Sequence, residues 1–268
     1  MKKSFLFVKR NLKEMLRDPI LYCFCIGFPI MMVVMFQVIM ACSGNQSVTF
    51  EVPNLIPGIM MFSYSVLMLM SSLLISKDRT SAFLKRLYTS PMKGKDYIIG
   101  YGIPFVIVGL GQTILCVILG YIFGAVDGTH FIAFPRALLL MITMLPILLI
   151  NVFIGMTLGM VLNDKAAPGI TSIFISLSGV LGGAWMPLDT MGSFEKFTLA
   201  LPFYPSVYLG RVAAGAPHTV PDELGNLVPY SLSGDVRGII VPCVLAAYLL
   251  VTGALTLLVF NKKINSDN

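Results

Sequence analysis

Six apolar stretches dominate the hydrophobic pattern, at about 20–41, 57–76, 103–124, 137–162, 168–188 and 238–260. A helix of about 20 residues crosses the hydrocarbon core of a bilayer, and none of the six carries Asp, Glu, Lys or Arg in its middle. Leu, Ile, Val, Met and Phe run on in blocks with scattered Gly and Pro, which suits helices and not the alternation of a barrel. The pattern predicts an all-α integral membrane protein with six transmembrane helices. Pro29, Pro104 and Pro146 are expected to kink their helices or to sit near an end.

The polar segments between the spans carry patterns of their own. Over 3–17, Phe5, Val8, Leu12 and Met15 recur at helical spacing, while Lys9, Arg10, Lys13 and Arg17 lie elsewhere on the wheel. This predicts an N-terminal interfacial amphipathic helix along an anionic membrane surface. In 78–91, Thr80 or Ser81 can cap a short helix, and Pro91 stops it. Phe83, Leu84, Leu87 and Tyr88 form its apolar face, with Lys85 and Arg86 turned away. Such a stripe outside the membrane wants a partner, either the bilayer surface or a groove on another protein.

The segment 189–236 is far longer than an ordinary loop of roughly a dozen residues, yet much of it is apolar. Residues from Phe194 to Leu209 suggest two short helices broken by Pro202 and Pro205. Sheltered by protein, such helices can dip into the membrane. In the fifth span, Gly169, Ser172, Ser176, Gly179 and Gly183 form a stripe of small residues that lets helices approach closely. It serves either intrachain packing or a subunit seam or translocation wall, and its regularity favours the second. The pairs Gly155/Gly159 and Gly120/Gly124 are weaker signals of the same kind.

Charge sets the orientation. Of 19 Lys and Arg, 15 fall in the N-terminal segment, the second-to-third connection, the fourth-to-fifth connection and the C-terminal tail. That side carries a net +9 and the other −3, which places both termini in the cytoplasm. The overall +6 is therefore an orientation signal and not the footprint of a nucleic-acid partner. Only 12% of residues are charged and 56% are hydrophobic, which excludes a soluble domain.

The chemistry of known active sites is missing from the sequence. His130 and His218 lack metal-ligand company. Gly94-Lys95 lacks the upstream Gly of a P-loop and is followed by Asp96. The Ser193–Lys196 and Ser266–Asn268 echoes of penicillin-recognising enzymes fall on opposite sides of the membrane. The five cysteines form no disulfide framework. Within the spans, Gln37, Gln112, Asn151 and hydroxyls are the only polar side chains, which weakens an ion-coupled mechanism.

The segment Lys77-Asp78-Arg79-Thr80-Ser81-Ala82-Phe83-Leu84-Lys85-Arg86-Leu87-Tyr88-Thr89-Ser90-Pro91 resembles the E-x-x-x-G-T-L-K-R-L-x-x-S-P stretch of ABC-2-type transporter permeases. Residues 182–215 resemble the same family's G-x-x-x-P-L and L-P-x-x-Y-x-x-x-x-x-R segments, with Pro187, Pro202 and Arg211 at the recognisable positions. Asp78 stands for the family's Glu, and Ser81 and Ala82 for its Gly and Thr.

The resemblance implies the transmembrane subunit of an ATP-driven exporter, not itself an enzyme and without a cofactor of its own. ATP and Mg would bind a partner ABC ATPase. Phe83, Leu84, Lys85, Arg86, Leu87 and Tyr88 would form the coupling helix, docking on the ATPase beside residues 3–17. The first span and the stripe from Gly169 to Gly183 would line the interface with a second permease copy, or a homologous one, and the translocation path. Pro187, Pro202, Tyr208 and Arg211 would belong to outer re-entrant helices. A bacterial cell membrane is the implied location, and a drug, lipid, peptide or ion the implied cargo. The alternative is an ion-coupled transporter or channel working without an ATPase.

Overall fold

The computed structural model describes residues 2–43, 48–81, 94–126, 131–218, 227–232 and 237–267, and the described residues are helical apart from short turns and one isolated bridge between Pro217 and Pro229. Among the described residues, five helices are long and apolar enough to cross a membrane: α2 (Pro19–Cys42), α3 (Val52–Thr80), α4 (Gly94–Val126), α5 (Phe134–Val161) and α9, whose apolar part is Arg237–Lys263. Before them lies α1 (Lys2–Met15). Between α5 and α9 come α6 (Ala167–Leu181), α7 (Ser193–Leu199) and α8 (Phe203–Ala214).

α3 is the central element. It is buried on every side along most of its length, and α5, α6, α4, α8 and α2 pack around it. Two of its buried hydroxyls bond within the helix: Ser63 donates to the Ile59 carbonyl at 2.7 Å and Ser71 to the Met68 carbonyl at 2.9 Å. The tightest approach is to α5. A Cβ placed on Gly155 would lie 2.4 Å from the Met68 oxygen, and one on Gly159 would lie 2.7 Å from the Ser72 oxygen. The Gly155/Gly159 pair is thus the seam between the two most intimately packed helices, where small residues let backbones meet.

The three prolines behave in two ways. A proline offers no N–H to the carbonyl one turn earlier. For Pro29 that carbonyl belongs to Cys25, inside a π-turn over Cys23–Gly27, and Gln112 of α4 donates to it at 3.1 Å. For Pro104 it belongs to Gly100, and Asn11 of α1 donates to it at 3.0 Å. Pro146 follows a break in α5 between Thr143 and Leu145. Two of the three prolines therefore become points where another helix is stitched on.

Several expected boundaries shift. α3 runs from Val52 to Thr80 instead of 57–76, since Pro53 sits in its first turn, where no donor is needed. α1 packs on α4 through one side of the helix. Ser4, Phe7, Val8, Asn11 and Met15 are buried, while Phe5 is 69% exposed. The cause lies on α4, where Gly100 leaves a slot for the Phe7 ring, which meets Tyr97 and Tyr101 edge-on at 6.2 and 4.9 Å. Ser4 donates to Asp96 at 2.6 Å on the same face.

The predicted fifth span, 168–188, is a 15-residue helix, α6. It ends where Gly183 takes a φ of 62°, a left-handed turn that only Gly adopts readily. The chain leading into α6 touches one end of α3, because Arg79 donates to the Asn163 side chain at 3.2 Å. The chain leaving it touches the other end, where a Cβ on Gly58 would lie 2.7 Å from the Ala184 backbone.

Candidate functional site

At the basic end of the molecule, the last turn of α3 leads into the segment expected to couple. Residues Phe83 to Tyr88 lie outside the described residues, so the predicted helix is not described. Its root is. Asp78 is 4% exposed and accepts a 2.7 Å hydrogen bond from the Tyr101 hydroxyl of α4. Arg10 of α1 stands 3.6 Å from the same carboxylate oxygen and also pairs with Glu14 at 2.9 Å. The next residue reaches the opposite way. Arg79 donates to the carbonyls of Met160 and Leu162, the latter at 2.6 Å, at the C-terminal end of α5. Those carbonyls have no helical donors of their own, and a cation suits that end of a helix dipole.

Asp78 and Arg79 thus bind the root of the 82–93 segment to three helices at once. Thr80 and Ser81, expected to open a new helix, bond back to the carbonyls of Ser76, Lys77 and Asp78 at 3.0–3.1 Å. They close α3, whose last carbonyls need donors.

At the opposite end, the segment after α6 folds into a compact unit. Asp189 accepts hydroxyl protons from both Tyr204 and Tyr230. Burial, followed by the charge of Asp189, pushes the Tyr204 hydroxyl well above the ordinary tyrosine range, so it stays a donor. Glu195 pairs with Arg237 at 2.8 Å, joining α7 to the start of α9. Arg211 is fully buried; its Nε donates to the Asn54 carbonyl at 3.3 Å and its terminal nitrogen to the Gly183 carbonyl at 2.8 Å. Its guanidinium lies 5.7 Å from the Tyr230 ring centroid. Asn54 in turn donates to the carbonyls of Val48 and Pro217, each at 2.9 Å.

Tyr208 donates to the Ser231 carbonyl at 2.9 Å, and its ring packs against Tyr204 and Tyr230. Pro202 is the residue before α8, and Pro187 precedes a short 3-10 turn at Leu188–Thr190. Pro205, expected to break a helix, falls in the first turn of α8, where proline is tolerated.

The small-residue stripe divides. Gly169, Ser172 and Ser176 are exposed on the outer face of α6, beside Ile173, Phe174 and Leu177. The hydroxyls of Ser172 and Ser176 bond within the helix, to the carbonyls of Gly169 and Ser172 at 2.8 and 3.0 Å. Gly179 faces inward, where a Cβ would lie 2.5 Å from Trp185 and 2.9 Å from Phe62. Gly183 lies beyond the helix, in the turn held by Arg211. Three of the five expected residues therefore share an unpartnered face, and two serve the chain's own packing.

Sequence reasoning passed over the residues that hold these sites together. Asn11, Asn54, Asp189, Tyr101 and Tyr230 look like isolated polar or aromatic residues until the fold supplies partners. A lone Asn or Asp beside a long apolar run was the available signal, because a polar group at a membrane boundary needs a buried partner.

A family model described as ABC-2 type transporter matches residues 3–213, well over half of the chain. Neither the curated proteins nor the solved structures provide a match.

Proposed function

The chain belongs to the ABC-2 type transporter family, and on that premise we propose that it is the permease subunit of an ATP-driven exporter. The observation that carries this reading is the root of the 82–93 segment. Asp78 and Arg79 sit where a push from an ATPase on that segment would be passed to α1, α4 and α5 together. Phe83, Leu84, Leu87 and Tyr88 offer the apolar docking face, and Lys85 and Arg86 flank it. ATP and Mg are held, and ATP is hydrolysed, on the partner ATPase.

α6 is the sixth crossing. Its flanking residues meet α3 at Gly58 and at Arg79, points about 31 Å apart along that helix at 1.5 Å per residue. That distance matches the roughly 30 Å hydrocarbon core, and six crossings put both termini on the basic, cytoplasmic side. The exposed face carrying Gly169, Ser172 and Ser176 packs against a second permease copy and lines the path. α7 and α8 form the re-entrant outer gate, fixed by Arg211. The cargo is small or amphipathic, and it leaves the cell as the ATPases close.

The test is ATP turnover by the chain co-purified with its ATPase subunit and reconstituted in vesicles. Leu84→Asp with Leu87→Asp should abolish the coupling of turnover to transport while sparing the basal turnover of the ATPase. Unchanged coupling removes the docking role. Transport by the chain alone, driven by an ion gradient, overturns the reading in favour of the ion-coupled alternative.

A further inference from the structure

The outer face of α1 does not rest on α4; a groove opens between them. Near the start of α4 it encloses about 1030 Å³ among Val8, Leu12, Ile99, Ile103 and Ile107. Further along it encloses about 490 Å³ among Leu16, Cys25, Ile107, Gly111 and Ile114. Leu12 and Ile107 line both parts, so the groove is continuous. From Ile103 to Ile114 it runs ~16 Å along α4, the depth of one leaflet at about 15 Å. Its floor is open at Gly111, where an added Cβ would meet nothing within 4 Å. On that wall the buried Oε1 of Gln112 has no hydrogen-bond partner among the described residues.

The mouth of the groove is basic. An adjoining cavity of about 980 Å³ shares Lys9 with the first part and Leu21 with the second. Lys9, Arg10, Lys13, Arg17 and Lys77 line it against two acids, Glu14 and Asp18. Both acids are engaged: Glu14 pairs with Arg10, and Asp18 accepts from the Ile20 N–H to cap α2. Asp96 at the edge of the first part accepts from Ser4. Because α1 carries Lys9 and Lys13 beside Leu12 and Leu16, it presents cations and an apolar wall to one ligand.

We propose that this groove is a binding site for an anionic phospholipid of the leaflet on the basic side. One acyl chain lies along Ile103–Ile114 over Gly111, and the phosphate sits against Lys9 and Lys13. Basic pockets beside membrane helices on that side recognise anionic headgroups by charge. Calling the leaflet cytoplasmic rests on the proposed orientation; the site itself does not.

Native mass spectrometry of the full chain in non-ionic detergent tests it, with phosphatidylglycerol and phosphatidylcholine of identical chains. Wild type should retain phosphatidylglycerol at least about tenfold better. Lys9→Gln with Lys13→Gln should erase the preference while phosphatidylcholine is retained as before. Gly111→Leu should weaken both lipids alike, and Ile107→Trp provides the same obstruction if the first variant does not fold. Equal retention of the two lipids by wild type overturns the proposal, as does full retention by an obstructed chain that folds. So does displacement of the lipid by millimolar inorganic phosphate, or by the ATPase subunit, which would make the basic mouth a phosphate site or a protein face. None of these readouts involves ATP turnover, so the permease reading stands or falls separately.

Discussion

Asn11 donates a 3.0 Å hydrogen bond to the Gly100 carbonyl, the oxygen that Pro104 leaves without its helical donor. One buried amide thus repairs the defect in α4 and holds α1 in place beside Phe7 and its tyrosine partners.

Asn11→Ala should therefore release α1 while leaving the Gly100 carbonyl of α4 short of a donor. The expected cost is about 1–3 kcal/mol, the penalty of an unsatisfied buried carbonyl. Thermal unfolding would register the loss, and limited proteolysis would show earlier cutting within residues 2–15. Unchanged stability and protection would mean that the Phe7 packing alone secures the helix.

The Asp78 node makes a separate claim about transmission. Asp78→Asn leaves a side chain of the same size that still accepts from Tyr101, but it loses the charge facing Arg10. In the reconstituted complex, transport per ATP should fall more than ATP turnover itself. Tyr101→Phe should do the same more weakly, since it removes one hydrogen bond worth about 0.5–1.5 kcal/mol. Parallel losses of transport and turnover would point to a folding defect.

Five of the six expected spans were legible because an uninterrupted apolar run of bilayer length is rarely found outside a membrane helix. What the sequence hid was contact made across distance. α1's periodicity marked an apolar face for the membrane surface, but not the side that packs on α4, where Gly100 accepts Phe7 and Ser4 and Asn11 find polar partners. Asp78 and Arg79 read as two charges of a familiar motif, since their partners Tyr101 and Leu162 lie far along the chain. The spacing that carried the small-residue stripe on to Gly183 could not register a left-handed turn. Arg211 was recognisable by its motif position, while its hold on Asn54 and Gly183 needed the fold.

The seam between α3 and α5 should tolerate almost nothing. Gly155→Ala places a methyl 1.9 Å from the Ser71 hydroxyl and 2.4 Å from the Met68 carbonyl. A hydroxyl can rotate away, but a backbone carbonyl in a helix cannot. The expected loss is about 1–3 kcal/mol for Ala, and Gly155→Leu should not yield folded protein. Detergent-solubilised yield and unfolding temperature would measure both.

Arg211→Lys tests the fixed outer unit without removing the charge. An ammonium cannot span the Asn54 and Gly183 carbonyls as the guanidinium fork does, nor lie flat against Tyr230. One buried carbonyl is left unpaired at about 1–3 kcal/mol. Protease sensitivity within 183–231 should rise before the spanning helices unfold. A variant as resistant as wild type would show that the Asp189–tyrosine cluster holds the unit by itself.

The two halves of the small-residue stripe should respond in opposite ways. Gly179→Leu drives a side chain into Trp185 and Phe62, so it should destabilise the single chain by about 1–3 kcal/mol through overpacking. Ser172→Leu with Ser176→Leu adds bulk to an exposed face and removes only hydroxyls bonded within their own helix. That variant should fold with an unchanged unfolding temperature. Close approach by a second copy needs small residues at the contact, so crosslinking between copies through Gly169→Cys should drop sharply and transport with it. Wild-type crosslinking and transport by the normally folded double variant would remove the outer face of α6 from both seam and path.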